Sequence, residues 1–251
     1  MKLYRELAEY YFAIESNHRS ILNDIHLIRS YLKNYDDPSL LDLGCGTGEH
    51  LDAISRLGVK KCVGIDNSAE MLAVAHERFP GSIRFLNRNF KSFDFYQEFD
   101  MVISLFGSIA YITNDRDIDT FFWNTWRAMK PGGIGIFEIW NSVPVKKIRS
   151  KPMSHVSRTA YGDVIIERER GFELINEAKS IAQVSYRYRV ISHKGTLTYN
   201  DTHTMRSFTL GEVKKFIQDN GLMLINVYAN SKKEEFTENS NKMLIIFRKD
   251  T

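Results

Sequence analysis

An apolar, strand-like run that ends in glycines constrains this chain more than any other feature. Ser39-Leu40-Leu41-Asp42-Leu43 leads into Gly44-Cys45-Gly46-Thr47-Gly48, and a stretch with Leu51, Ile54 and Leu57 at helical spacing follows. Strand, tight turn and helix form the unit with which α/β folds hold the polar end of a ligand against backbone N–H groups. Glycines permit positive φ in the turn and let the backbone approach the ligand. The spacing narrows the chemistry. A dinucleotide fingerprint, G-x-G-x-x-G, needs glycine at position 49, where Glu49 stands. The remaining pattern, D-x-G-x-G-x-G, places the Asp42 carboxylate before the loop. A carboxylate there suits a ligand with an ammonium group better than one with a pyrophosphate.

Lys61-Cys62-Val63-Gly64-Ile65 reads as a second buried strand ending in Asp66, about twenty residues past the glycine loop. An acidic side chain at that point can accept hydrogen bonds from both ribose hydroxyls. A helix then opens at Ser68-Ala69-Glu70-Met71-Leu72, with Asn67 or Ser68 as its N-cap. Each part alone is ordinary. Their ordered conjunction indicates a nucleoside-bearing cofactor, and Asp42 favours S-adenosylmethionine over NAD.

Strand and helix patterns alternate over the first 140 or so residues. Ile21, Ile25, Ile28 and Leu32 mark an amphipathic helix before the first strand. Ile83–Leu86 and Phe99–Phe106 read as strands 3 and 4, Asp117–Met129 as a helix stopped by Pro131-Gly132-Gly133, and Ile134–Trp140 as strand 5. Such βα repeats imply a parallel sheet covered by helices on both faces. From about Ser154 to Phe208 the period drops to two, as in Ala182–Val190, and His193-Lys194-Gly195 supplies a turn. This predicts a small antiparallel sheet inserted after strand 5. A capping box at Thr209 and Glu212 restarts helix, Asn220-Gly221 stops it, and Leu222–Tyr228 and Met243–Phe247 make two closing strands. The expected organisation is a Rossmann-like body of residues 1–141 and 207–251, with residues 142–206 as a substrate lid.

At 251 residues, 43% hydrophobic and 26% charged, the chain has the makings of one soluble core. A net charge of +3 from dispersed basic residues gives nucleic-acid binding no support. No apolar run approaches membrane-spanning length, and the charged start lacks the apolar core of a signal peptide. Cys45 and Cys62 both fall in segments expected to be buried, which fits a reducing cytoplasm. The His, Asp and Glu residues show no metal-ligand spacing.

Taken together, Leu41–Gly48, Gly64–Leu72 and Met129-Lys130-Pro131-Gly132-Gly133 resemble class I S-adenosylmethionine-dependent methyltransferases, a likeness that runs from near the N-terminus to the last strand. The resemblance implies a seven-stranded sheet whose final hairpin supplies an antiparallel strand. It implies that Asp42, Gly44, Cys45, Gly46 and Gly48 hold the methionine moiety, that Asp66 and Asn67 hold the ribose, and that Met71 lies against the adenine. Asn89-Phe90 stands where the family often has an acidic residue facing the adenine amino group, and Leu105 joins this cofactor set. Tyr11 matches a tyrosine that often closes over the cofactor. Arg88, where glycine is common, departs from the pattern. S-adenosylhomocysteine would be the product, and no metal is required.

A narrower likeness, carried by Ser104–Tyr111, Phe137-Glu138-Ile139-Trp140 and Thr202–Thr209, is to sugar N-methyltransferases of the desosamine and mycaminose type. Tyr111 departs from a histidine common in those enzymes, and Lys242 falls near one of their arginines. The resemblance implies His203 and Tyr111 as catalytic residues and Glu138, Trp140 and Lys242 as substrate contacts. Tyr186, Tyr188 and Tyr199 offer a platform for a sugar or simply pack the sheet. The run Lys146–Lys151 either steers a diphosphate or is a solvated loop. The preferred acceptor is the amine of a nucleotide-linked amino sugar. N- or O-methylation of another small molecule and a non-catalytic cofactor-binding regulator stay open, as does a homodimer.

Overall fold

A computed structural model describes residues 1–16, 20–81 and 83–250, without the side chains of 155–156. After a single turn of tight helix at Ala8–Tyr10 come α1 (Tyr11–Ser16), α2 (Ile21–Leu32), β1 (Ser39–Leu43), α3 (Glu49–Ser55), β2 (Lys61–Asp66), α4 (Ala69–Arg78) and β3 (Ile83–Asn87). The chain continues through β4 (Phe99–Ser104), α5 (Asp115–Ala128), β5 (Met129–Trp140) and α6 (Ser142–Ile148). Four long strands follow: β6 (Ser150–Tyr161), β7 (Val164–Asn176), β8 (Ile181–Ser192) and β9 (Gly195–Arg206). The chain closes with α7 (Leu210–Asp219), β10 (Leu222–Tyr228) and β11 (Lys242–Lys249).

Seven strands form one sheet in the order β10-β11-β5-β4-β1-β2-β3, with β11 antiparallel to both its neighbours and β1 to β5 parallel. Strand periodicity divides its core between two faces. Leu41 and Leu43 of β1 pack with Phe121 and Phe122 of α5 and Ile217 of α7, whereas Leu40 packs with Ile28 of α2, Leu51 of α3 and Leu72 of α4. The chain leaves β1 toward β2 and β3, then crosses back to place β4 on the other side of β1. That reversal opens a crevice at the carboxyl ends of β1 and β4, the place where open α/β sheets bind ligands.

Local chemistry sets the element ends. The Ser68 hydroxyl accepts from the Met71 N–H and caps α4, and Thr209 and Glu212 close the capping box on α7. Strand β4 stops at Ser104, two residues short of the sequence expectation, because Phe106 and Gly107 turn with φ of 56° and 73°. Strand β5 begins at Met129 rather than Ile134, since Met129 already pairs with Phe99. Helix α6, which periodicity does not single out, is capped by the Asn141 side chain accepting from the Val143 N–H.

Strands β6 to β9 form a separate antiparallel sheet in sequence order. Its Ile166, Tyr188 and Val190 pack against Leu3, Leu7 and Ile14. The first residues of the chain, grouped with the larger sheet on sequence grounds, thus bury their apolar side chains on the smaller one.

Candidate active site

The glycine loop is held by the strand beside it. The N–H groups of Gly44 and Cys45 both donate to the Ile65 carbonyl at 2.8 and 3.0 Å, and the Gly46 N–H donates to Asp66 Oδ2 at 2.9 Å. Gly44 has φ of 86°, and a Cβ there would lie 2.6 Å from Ser108 Oγ. Only glycine allows this turn and the approach of the loop after β4. Asp66 Oδ1 accepts from the Ser68 N–H at 2.9 Å. Burial pushes the Asp66 carboxyl up, against the pull of the N–H groups of Ser68, Gly46 and Asn67. Asp42 has no such compensation. It is 4% exposed and has no hydrogen-bond partner among the described residues. Burial, with the Asp66 charge adding, raises its carboxyl to about 8.

A cavity of about 370 Å³ opens beside this loop. Gly44, Gly46, Asp66, Asn67 and Met71 line one part of it, and Asn89, Phe90 and Arg88 continue the wall. Tyr11 from α1 and Tyr4 and Met1 from the preceding segment cover it, while Phe106, Ser108 and Tyr111 follow from β4. The donor set fits a molecule with an ammonium, a ribose and an adenine. The Asp66 carboxylate stands at a strand end, Gly44 and Gly46 offer backbone, and Met71 and Phe90 supply apolar surface, while the Asp42 carboxyl is buried near the loop and outside the lining.

Beside the cavity three elements converge. The Tyr111 hydroxyl lies 2.5 Å from His203 Nδ1 of β9 and 2.7 Å from the Tyr4 hydroxyl. His203 Nε2 lies 2.9 Å from Asp201 Oδ2, which also accepts from the Leu3 N–H at 2.9 Å. His203 is 1% exposed, and burial lowers its imidazole pKa despite the carboxylate beside it. Burial pushes Asp201 up, but the Leu3 N–H and His203 outweigh it and hold the carboxyl below its ordinary value. Burial drives both Tyr4 and Tyr111 well up, so both phenols keep their protons at neutral pH.

The sequence profile of the methyltransferase-domain family matches residues 40–133. The chain is 25% identical over 215 residues, 81% of each protein, to YqeM of Bacillus subtilis (strain 168), a protein named only for the methyltransferase class. It is 27% identical over 198 residues to dTDP-4-amino-2,3,4,6-tetradeoxy-D-glucose N,N-dimethyltransferase of Saccharopolyspora spinosa, covering 79% of this chain and 76% of that one. Among solved structures, an S-adenosylmethionine-dependent methyltransferase from Clostridium acetobutylicum ATCC 824 superposes with a TM-score of 0.84 over 98% of both chains at 16% identity. Residues 40–133 are a methyltransferase domain, and the chain has the fold of S-adenosylmethionine-dependent methyltransferases.

Not every residue singled out in the sequence lines this cavity; Asp42 and His203 are both absent from its lining. Cys45 packs behind Gly64, whose Cβ would lie 2.7 Å from the Cys45 sulfur, and burial drives its thiol well up. Gly48 caps α3 with φ of 87° under the Phe85 ring, and Leu105 joins the apolar face behind β1. These three residues, expected among the cofactor contacts, lie outside the cavity lining and serve turn and packing in the fold. Glu138 and Lys242 are likewise absent from the lining; the Lys242 ammonium donates to Glu138 Oε1 at 2.9 Å across β5 and β11. Each of the two residues expected to contact substrate is thus engaged by the other. Trp140 lies against Gly107 and beneath the Arg170 guanidinium, 5.8 Å from its ring centre, between the cavity loop and the smaller sheet. The basic run does not face the cavity: Lys147 donates to Asn239 at 2.5 Å and Arg149 pairs with Glu177 at 2.6 Å.

The structure adds Tyr4 and Asp201 to the residues around His203. Asp201-x-His203 at strand period was a readable signal, since it sets both side chains on one face. Tyr4 carried none. Among the described residues no group of three or more His, Cys, Asp or Glu side chains is placed to hold a metal, and no helix is long and apolar enough to cross a membrane.

Proposed function

We propose that the protein transfers a methyl group to the amine of a nucleotide-linked amino sugar. The observation that carries this is a cavity lined both by the glycine loop with Asp66 and by Tyr4 and Tyr111, with a buried neutral histidine behind the two tyrosines. The likeness to the Saccharopolyspora spinosa enzyme, which is named for such an acceptor, supports the sugar amine. Free, buried Cys45 and Cys62 suit a reducing cytoplasm.

When bound, S-adenosylmethionine supplies a methyl group already activated by the positive sulfur. The protein's part is to position, to exclude water and to manage a proton. In this reading Gly44 and Gly46 present backbone to the methionine end and Asp42 faces its ammonium. Asp66, with Asn67 beside it, receives the ribose hydroxyls, and Met71, Asn89 and Phe90 enclose the adenine under Tyr11. The acceptor enters between Tyr111 and the loop at Phe106–Ser108, with residues 142–206 as the lid over residues 1–141 and 207–251. An acceptor amine must carry a free lone pair to attack, so its proton needs a destination.

Methyl transfer from labelled S-adenosylmethionine to a panel of dTDP- and UDP-linked amino sugars tests the acceptor. Methylated sugar amine is the expected product. Turnover only with other metabolites would move the reading to another small-molecule acceptor, and tight cofactor binding with no turnover on any amine or hydroxyl would make the protein a regulator.

Asp42 gives an independent, thermodynamic check. Its folded pKa is raised, so its contribution to stability is whole below the ordinary carboxylate range and is lost as pH rises toward about 8. A ligand ammonium reverses that preference. Cofactor binding near about pH 6.5 is therefore expected to expel up to one proton, and affinity should climb with pH until Asp42 is ionised unaided. Calorimetry in buffers of different ionisation enthalpy measures the proton count. Asp42→Asn should bring it close to zero; unchanged release would show that the ammonium sits elsewhere.

A further inference from the structure

The hydrogen bonds behind the cavity have only one consistent direction. Asp201 Oδ2 is an acceptor and already takes the Leu3 N–H, so His203 must carry its proton on Nε2 and donate it to the carboxylate. That leaves Nδ1 as a bare acceptor, which the Tyr111 hydroxyl fills by donating across 2.5 Å. Tyr111 then has no proton left for Tyr4, and the Tyr4 hydroxyl must be the donor of the 2.7 Å bond between them. Tyr4 lines the cavity, and its phenol oxygen retains lone pairs with no other partner among the described residues.

We propose that Tyr4 is the catalytic residue that takes the proton of the acceptor amine, and that Tyr111, His203 and Asp201 are positioning residues that carry it away. The proposal rests on the reading of the acceptor as an amine. One N–H bond of the acceptor ammonium breaks as an O–H bond forms on Tyr4. Tyr4 gives its original proton to Tyr111, and Tyr111 gives its own to His203 Nδ1. The products are a neutral amine with a free lone pair, two neutral phenols and an imidazolium paired with the Asp201 carboxylate. The proton returns by the same path to water once the product has left. No phenolate accumulates.

The energetics favour a weak, hidden base. An acceptor held beside a sulfonium in a partly apolar cavity loses basicity, which brings it toward an imidazole. The groups around His203 fix its own basicity. Asp201 and Glu15 of α1 favour the imidazolium, burial and the N-terminal amine oppose it, and Tyr4, Tyr111 and Tyr186 enclose the ring. Burial is the largest influence, so the ring is neutral and ready to accept at neutral pH.

Two readouts test the relay on the full chain. In the cofactor-free protein, nitrogen NMR of His203 is expected to show the neutral Nε2–H tautomer at neutral pH, with the Nδ1 resonance shifting in Tyr111→Phe. A neutral Nδ1–H tautomer would overturn the relay without any assay. With an amine acceptor, Tyr4→Phe is expected to lower kcat about 100-fold, in the range of lost general base catalysis, while cofactor Kd stays within about threefold. In the wild type, kcat/KM should fall on the acid side as His203 protonates, and Tyr111→Phe should remove that limb. Both phenylalanines keep the ring packing, so folding is not in question. Turnover by Tyr4→Phe at the wild-type rate, or an acid limb unaltered by Tyr111→Phe, overturns the relay alone. A panel with no amine turnover overturns the acceptor reading and the proposed chemistry with it.

Discussion

Asp66→Ala is expected to weaken S-adenosylmethionine binding by 100-fold or more, about 3 kcal/mol, by isothermal calorimetry. Two losses combine. The carboxylate would no longer accept from the ribose hydroxyls, charge-assisted bonds worth roughly 1.5–3 kcal/mol each. The Gly46 and Ser68 N–H groups would also lose their acceptor, freeing the glycine loop at one end and the start of α4 at the other. Asp66→Asn separates the two effects. Its amide oxygen can still serve one N–H, so affinity should fall between the wild type and alanine. Wild-type affinity in Asp66→Ala would remove the ribose from this strand end and with it the proposed cofactor pose.

Gly135→Ala is expected to be the most damaging single methyl in the fold. Gly135 faces Phe247 across the β5–β11 ladder, and a Cβ there would lie 2.0 Å from the Phe247 ring. The ring cannot simply swing aside. Phe247 is fully buried and packs edge-on against Phe137, with ring centres 4.8 Å apart. Overpacking of this kind costs about 1–3 kcal/mol or more. In a chain of this size that is roughly 2–4 °C per kcal/mol, so a melting temperature lower by about 5–10 °C is expected. Scanning calorimetry measures it. An unchanged melting temperature would mean that the two strands are not paired in this register.

The parts of the site that the sequence made legible are those built from short stretches of chain. The glycine loop, Asp66 and the cap at Ser68 each depend on neighbours within a few residues, where strand ends and turn chemistry leave a pattern. The relay is of another kind. Leu3 meets Asp201 across 198 positions and Tyr4 meets Tyr111 across 107. No local period encodes a contact that exists only once two sheets and an N-terminal segment have packed. Glu138 and Lys242 show the converse. Each looked available because its partner lay 104 residues away on the adjoining strand. Spacing could place both at the right end of the sheet, and only the register showed that they neutralise one another.

The opening segment of the chain joins two things that enzymes often keep apart. Within consecutive residues, Leu3 anchors Asp201, and Tyr4 both covers the cavity and bonds to Tyr111, while the Ser68 hydroxyl holds the Tyr4 carbonyl at 2.6 Å. Displacing this segment would therefore break the Leu3–Asp201 and Tyr4–Tyr111 bonds together. Cover and proton path are tied by covalent adjacency, so that neither could be removed without the other.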